Sequence, residues 1–284
     1  MSGRPGVTRP AAPAQAPSQG LPADPRALGS RLSGSPLIVL LDVDGTLSPI
    51  APRPEDAAVP VATRDAVARL ARARDTHVAL VSGRGARDAH RLVGVNGVWA
   101  IGNHGLESIT PDGQFSLDER VAPWESALRT ARDAAAAAVA TVAGARLEDK
   151  GATLSVHYRQ VEASDVAQLE SAIETAAARA GLRVTRGRKV FEVRPPIAVN
   201  KGTAVLALAD RLGAAVPTAS MLFAGDDTTD EDAMEALRGW RAAAVTIHIE
   251  GEEPRVTRAE FQLSSPAVLG KWLAALAAMR EGGE

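Results

Sequence analysis

From position 37 onward the chain repeats one pattern: a short unbroken apolar run, then apolar residues three and four positions apart, then another run. Residues 37–41 read Leu-Ile-Val-Leu-Leu, as expected of a parallel strand covered on both faces. A helix is predicted over 61–74, where Val67 and Leu70 stand at core spacing, followed by strands at 77–81 and 98–102. Strand, helix and strand in alternation predict right-handed parallel crossovers and a Rossmann-like α/β sheet. After Gly105 the pattern changes. A hairpin is expected around Pro111-Asp112-Gly113, then an Ala-rich helix over 123–143, then two strands around Lys150-Gly151. A helix over 163–180 and a strand pair around Gly187-Arg188 complete this α+β stretch. From Asn200 the α/β pattern returns, with helices at 202–212, 230–237 and 267–279 and strands at 221–225 and 243–249. One domain is therefore inserted in another: a core from 36–105 and 196–284, and an insertion over 106–195.

The first 35 residues break the pattern. They are rich in Pro, Ala, Gly and Ser with no periodic apolar stripe, which predicts a disordered leader. Prolines also interrupt any apolar core that a signal peptide would need. The longest membrane-span candidate, 131–145, is broken by Arg132 and Asp133, so no membrane association is expected. A net charge of -2 and 3% aromatic residues speak against nucleic acid, which needs surplus cations and stacking rings. With no cysteine there are no disulfides, thiolate nucleophiles or cysteine metal sites. That fits a reducing compartment, and a cytoplasmic location is the expectation. The sequence is compatible with a monomer. Chemistry must come from carboxylates, hydroxyls, Lys, Arg and a few His.

The densest such chemistry follows the predicted strands. Asp42-Val43-Asp44-Gly45-Thr46 comes directly after the first apolar run, and a spacing of two puts both carboxylates on one side of an extended backbone. At the carboxyl end of a parallel strand, one can serve as nucleophile while its neighbour moves a proton. Asp-Gly is also a common turn dipeptide, so a pair of capping acids is the plainer reading. Ser82-Gly83-Arg84 follows the second strand, with groups suited to phosphate oxygens or, more simply, to a helix cap. Lys201 opens a helix, where an ammonium joins backbone N–H groups that already favour anions. Asp226, Asp227, Asp230, Glu231 and Asp232 cluster after the strand at 221–225. The helix dipole accounts for the last three but poorly for Asp226 and Asp227. That much negative charge invites a hard cation such as Mg²⁺.

In this order, Asp-x-Asp-Gly-Thr, Ser-Gly-Arg, Lys and Gly-Asp-Asp, the motifs resemble the haloacid-dehalogenase superfamily of phosphohydrolases. The insertion is similar to that superfamily's larger kind of cap. Gly102-Asn103-His104-Gly105-Leu106-Glu107, Glu148-Asp149-Lys150, His157-Tyr158-Arg159 and Glu192-Val193-Arg194-Pro195 narrow the likeness to trehalose-6-phosphate phosphatases, and it runs from Leu37 to Met279. The resemblance implies Asp42 as nucleophile and Asp44 as acid and base. It implies Mg²⁺ held by Asp42, the main-chain carbonyl of Asp44, and Asp226. It implies phosphate contacts from Ser82, Gly83, Arg84 and Lys201, with Asp227 and Asp230 orienting the metal shell and Lys201 from one layer out. Sugar contacts are implied for Glu148, Lys150, Arg159, Arg188 and Glu192, with Lys189 an alternative to Arg188 in a shifted register. Asn103, His104 and Glu107 lie at the junction of core and cap, to touch the sugar or shape the hinge; a structural role for His104 is equally expected. The implied substrate is trehalose 6-phosphate. Sister activities on sucrose phosphate, mannosyl-phosphoglycerate or hexose phosphates, a phosphomutase and a non-catalytic sugar-phosphate sensor are the alternatives.

Overall fold

The structure is a computed structural model, and residues 19–187, 189–241, 243–251 and 255–282 are described. Two sheets organise these residues. The larger has nine strands, ordered Gln19–Gly20, Phe261–Leu263, Val245–Ile249, Ser220–Gly225, Leu37–Leu41, Thr76–Val81, Trp99–Gly102, Glu107–Ile109 and Phe115–Leu117. Its first seven strands are parallel, and the last two are added antiparallel. Alternation within Leu37–Leu41 serves two cores at once. Leu37, Val39 and Leu41 join the cluster with helices Val61–Arg72 and Pro266–Glu281, and Ile38 and Leu40 join the one with Lys201–Arg211 and Thr228–Trp240. An apolar run buried on both faces is what a parallel sheet with helices on either side requires.

The smaller sheet is antiparallel, ordered Arg146–Asp149, Leu154–His157, Val190–Arg194 and Arg183–Gly187. Leu154, Val156, Phe191 and Val193 face helices Glu125–Val139 and Ala163–Arg179 through a third apolar cluster. The alternate positions form a polar face, where register places Glu148, Ser155, Glu192 and Thr185 side by side on one rung.

Three features differ from the sequence reading. The hairpin at 107–117 extends the large sheet instead of starting the insertion, because Glu107–Ile109 pairs with Trp99–Gly102. Period-two alternation reads the same whichever sheet a strand joins, so the pattern leaves that choice open. Helix Ala86–Val93, missed between two strands, is only eight residues long and buries Ala86, Ala89 and Val93, a short stripe whose two alanines add little apolar signal. Finally, the expected leader is docked from Gln19 onward; its first 18 residues lie outside the description. Gln19–Gly20 pairs with the edge strand Phe261–Leu263. Leu21, Leu28 and Leu32 pack on the core, and Trp272 Nε1 donates to the Pro22 carbonyl at 2.9 Å. Three leucines among prolines and glycines carry no periodicity, yet tertiary contact suffices to order them.

Arg31 ties this strap down. Its Nη1 donates to Glu260 Oε1 at 2.8 Å, its Nη2 to Glu260 Oε2, and its guanidinium reaches the carbonyls of Ala243 and Ala244. The pair is only partly covered from solvent, which limits its strength. Arg31→Ala is expected to lower the thermal midpoint by roughly 2–4 °C, about 1 kcal/mol in a chain of this size, with no change in activity. An unchanged midpoint in differential scanning fluorimetry shows the strap to be energetically idle.

Candidate active site

Strands leave Leu37–Leu41 in both directions, toward Thr76–Val81 on one side and Ser220–Gly225 on the other. The crevice between Leu37–Leu41 and Ser220–Gly225 is thus a topological switch point, the place where open α/β sheets bind ligands. Asp42 and Asp226 are the first residues beyond the carboxyl ends of those two strands. Asp42 N–H donates to the Ala224 carbonyl at 2.9 Å, fixing where its side chain emerges. Gly45 turns the chain away with φ 82°, and a Cβ there would stand 2.1 Å from Asp226 Oδ2. Only glycine allows the two loops this approach.

Lys201 is the buried hub. Its side chain is 2% exposed, and Nζ donates to Asp42 Oδ1 at 2.8 Å and to Asp230 Oδ1 at 2.7 Å. Asn200 caps the helix that begins at Lys201, and Asp227 caps the one that begins at Thr228, each through a capping box. Asp230 Oδ2 accepts from the N–H groups of Asp226 and Asp227, both at 3.0 Å. The acids after Ser220–Gly225 therefore build the loop as well as charge it. Burial pushes the Asp42 carboxyl up to about 7 against the pull of Lys201, with Asp226 and Asp227 adding repulsion. Burial and Asp42 likewise push Asp230 up. Although burial works against it, the Lys201 ammonium is held well above its usual value by Asp230 and Asp42.

Oxygens of Asp42, Asp226 and Asp230 lie within 4.8 Å of one another. Several carboxylates around one ammonium leave surplus negative charge, and an all-oxygen donor set suits Mg²⁺. The residues therefore fit the ion. Asp230 already spends one oxygen on Lys201 and the other on two backbone N–H groups, which suits it to orienting its neighbours from behind.

Other expected groups sit differently. Arg84 lines the main cavity and pairs there with Asp44, with Nε to Oδ2 at 2.6 Å and Nη2 to Oδ1 at 2.7 Å. It also binds Asp88 and the Pro54 carbonyl, both at 2.8 Å. Asn103 and Glu107 are buried and do not line the main cavity. Glu107 accepts from Ala86 N–H at 2.7 Å, capping helix Ala86–Val93, and from Asn103 Nδ2 at 2.5 Å. Asn103 Oδ1 accepts from Thr153 Oγ1 at 2.8 Å. They brace the junction of core and cap, as their one-letter pattern alone does not reveal. Arg188 lies outside the described residues, and Lys189 lines the cavity.

Between the strand ends and the polar face of the small sheet lies a cavity of about 470 Å³. Asp42, Asp44, Ser82, Gly83, Lys201 and Asp226 line its core side. His104, Glu148, Lys150, Arg159, Glu192 and Asp227 line it too. Glu148 Oε2 lies 2.8 Å from His157 Nε2, a partner the sequence reading left without a role. The alternation Leu154-Ser155-Val156-His157, apolar and polar by turns, was the available signal. Burial notwithstanding, His104, Lys150 and Arg194 bring the Glu192 carboxyl down to about 2.

A parallel sheet with an acid-and-lysine switch point, roofed by an inserted α+β cap, defines the haloacid-dehalogenase fold. A family model described as trehalose-phosphatase matches residues 40–266. The chain belongs to the trehalose-phosphatase family. A trehalose-phosphate phosphatase of Mycobacterium avium is 36% identical over 260 residues, which is 89% of this chain and 65% of that protein. A Mycobacterium tuberculosis protein described as an uncharacterized glycosyl hydrolase is 38% identical over 87% of this chain, but only 18% of its own length. The chain thus spans less than two thirds of either relative. Among solved structures, one described as a trehalose-6-phosphate phosphatase related protein superposes with a TM-score of 0.73 at 25% identity, covering 85% of this chain and 97% of that one. The C-terminal domain of the Candida albicans trehalose-6-phosphate phosphatase shares the fold, with a TM-score of 0.76 at 21% identity over 93% and 99% of the two chains.

Proposed function

We propose that the protein is a Mg²⁺-dependent phosphatase that hydrolyses trehalose 6-phosphate through an aspartyl-phosphate intermediate. The observation that carries this reading is the convergence of Asp42, Asp226 and Lys201 at the switch point beneath a cavity lined by charged side chains. In the proposed first step an Asp42 oxygen attacks phosphorus and the bond from phosphorus to the sugar oxygen breaks. Asp44 passes its proton to the leaving alkoxide. Asp44 then takes a proton from the water that attacks the phospho-aspartate, which regenerates Asp42 and releases phosphate. In the described conformation Arg84 holds the Asp44 carboxylate, so the proposal requires Asp44 to turn from Arg84 toward the leaving oxygen.

Ser82 and Lys201 hold the phosphoryl oxygens, and Lys201 offsets the charge on Asp42. Asp42, the Asp44 carbonyl and Asp226 would hold the ion, which supplies charge neutralisation for the phosphoryl oxygens. Phosphate-monoester hydrolysis is so slow unaided that enzymes of this class reach enhancements up to ~10²¹-fold. Positioning and charge stabilisation are the means this site offers. Hinges near Gly105 and Pro195-Pro196 are proposed to let the cap close and exclude water.

The experiment is phosphate release from trehalose 6-phosphate, with and without chelator, beside sucrose phosphate, mannosyl-phosphoglycerate and hexose phosphates. Release confined to trehalose 6-phosphate and abolished by chelator is the expected outcome; preference for another sugar reassigns the substrate. Glu148→Ala and Arg159→Ala should each cut kcat/KM on trehalose 6-phosphate by about 10-fold or more, the worth of one hydrogen bond to a charged group. On a small aryl phosphate the loss should stay within about 2-fold, since that substrate offers these groups nothing to bind. Equal losses on both substrates remove Glu148 and Arg159 from sugar reading.

A further inference from the structure

Two cap residues expected to read the sugar are gripped by the core, and both grips converge on the phosphate loop. Lys150 Nζ donates to the Gly83 carbonyl at 3.0 Å. Glu192 brings Oε1 to 3.2 Å and Oε2 to 3.1 Å from His104 Nε2. The Cε1–Nε2 edge of the His104 ring in turn lies against Gly83, where a Cβ would stand 2.9 Å from Cε1 and 3.0 Å from Nε2. His104 N–H also donates to the Ser82 carbonyl at 3.2 Å. The Ser82 carbonyl is thus held by the His104 backbone and the Gly83 carbonyl by Lys150, so both peptides of Gly83 are held at the junction of core and cap.

His104 occupies this place at a cost. Its backbone is left-handed, φ 56° and ψ 24°, directly after Asn103 at φ 47°. Such residues each cost on the order of 1–3 kcal/mol, persist only where their surroundings over-determine them, and concentrate at working sites. The surroundings are visible: the Asn103 side chain bonds Glu107 on the core, and both Thr153 and the Lys150 carbonyl on the cap. His104 Nδ1 is buried without a hydrogen-bond partner, so among the described residues the ring's polar engagement is with Glu192. A side chain kept strained and half-satisfied, hydrogen-bonded through Nε2 to the Glu192 carboxylate, is poorly explained as packing.

We propose that His104 is a positioning residue that couples sugar occupancy in the cap to phosphate binding in the core. In the described conformation Glu192 holds His104 and Lys150 holds Gly83. Sugar hydroxyls that take over Glu192 and Lys150 relax both grips, and the two peptides that flank Gly83 are freed to turn, which presents the Gly83 N–H to a phosphoryl oxygen. This rests on the sugar-phosphate reading above and deepens it: selectivity becomes a matter of assembling the phosphate loop, not of cap affinity alone. Linkage makes the effect reciprocal, so sugar tightens anion binding by the same factor as anion tightens sugar binding.

The test titrates inorganic phosphate calorimetrically into the Mg²⁺-loaded full chain, alone and with saturating trehalose. Trehalose is expected to tighten phosphate binding by roughly 5- to 20-fold, the lower part of the usual range for coupled sites. In His104→Asn, which tolerates a left-handed backbone but is too short to span to Glu192, the ratio should fall to about 1. His104→Gln, whose longer amide can still reach, should recover part of it. If trehalose binds the parent protein and leaves phosphate affinity unchanged, the coupling is overturned and the phosphatase reading stands. If phosphate binds but trehalose does not, the proposed substrate fails and the coupling with it. Parental coupling in folded His104→Asn removes His104 from the role; should that variant not fold, the parental ratio and the Gln variant decide.

Discussion

An Asp42→Asn protein is expected to release no phosphate above background from any substrate while melting no lower than its parent. The amide keeps the shape of the carboxyl and an oxygen for Lys201 Nζ, now 2.8 Å away. What it loses is the nucleophile, and its two nearest candidates for replacement are engaged: Asp44 is held by Arg84, and Asp230 spends both oxygens on Lys201 and backbone N–H groups. Stability should hold or rise because the native carboxylate is electrostatically disfavoured without an ion. Burial pushes its carboxyl up to about 7, and Asp226 and Asp227 repel it. Removing one negative charge relieves that repulsion, whereas Mg²⁺ should then stabilise the variant less than the parent. The measurements are phosphate release and thermal midpoints with and without Mg²⁺. Residual turnover near the parental rate takes the nucleophile's role from Asp42.

The contrast between Asp42 and its neighbour Asp44 shows what the sequence makes legible. An unbroken apolar run announces a doubly covered strand, and the next residue must then emerge at the strand's carboxyl end. Asp42, Ser82 and Asp226 could be placed this way because strand ends are local facts, and Lys201 by its position opening a helix. Where the Asp44 side chain points depends on Arg84, whose reach to Asp88 and the Pro54 carbonyl is set by a helix and a loop far apart in sequence. Cap residues are harder for the same reason. Alternation marks Glu148, Ser155 and Glu192 as one polar face, but only register puts them on one rung. Glu107 alternates just as well, yet its strand joins the large sheet, where it caps helix Ala86–Val93 and lies off the main cavity. The strap from Gln19 onward was illegible because its three docked leucines sit in a Pro- and Gly-rich stretch that resembles unfolded chain.

Lys201→Met is expected to destabilise the protein by about 3–5 kcal/mol, the usual result of stripping the partner from buried charge. Lys201 is 2% exposed and Asp230 is fully buried, so water cannot replace the lost ammonium. Asp42 and Asp230 would face each other across the gap with no cation between them, and both already carry carboxyls pushed up by burial. The variant should also become acid-tolerant in a diagnostic way: protonating those two carboxyls removes the repulsion, so its deficit relative to the parent shrinks as pH falls. Adding Asp42→Asn and Asp230→Asn to Lys201→Met empties the cluster of charge at these positions and should return most of the loss, though activity stays abolished. Urea midpoints of the single and triple variants, read at two pH values, decide the matter. A single variant as stable as the parent would mean that Lys201 is no hub. A triple variant no better than the single would place the loss in packing of the lysine stem instead of in its charge.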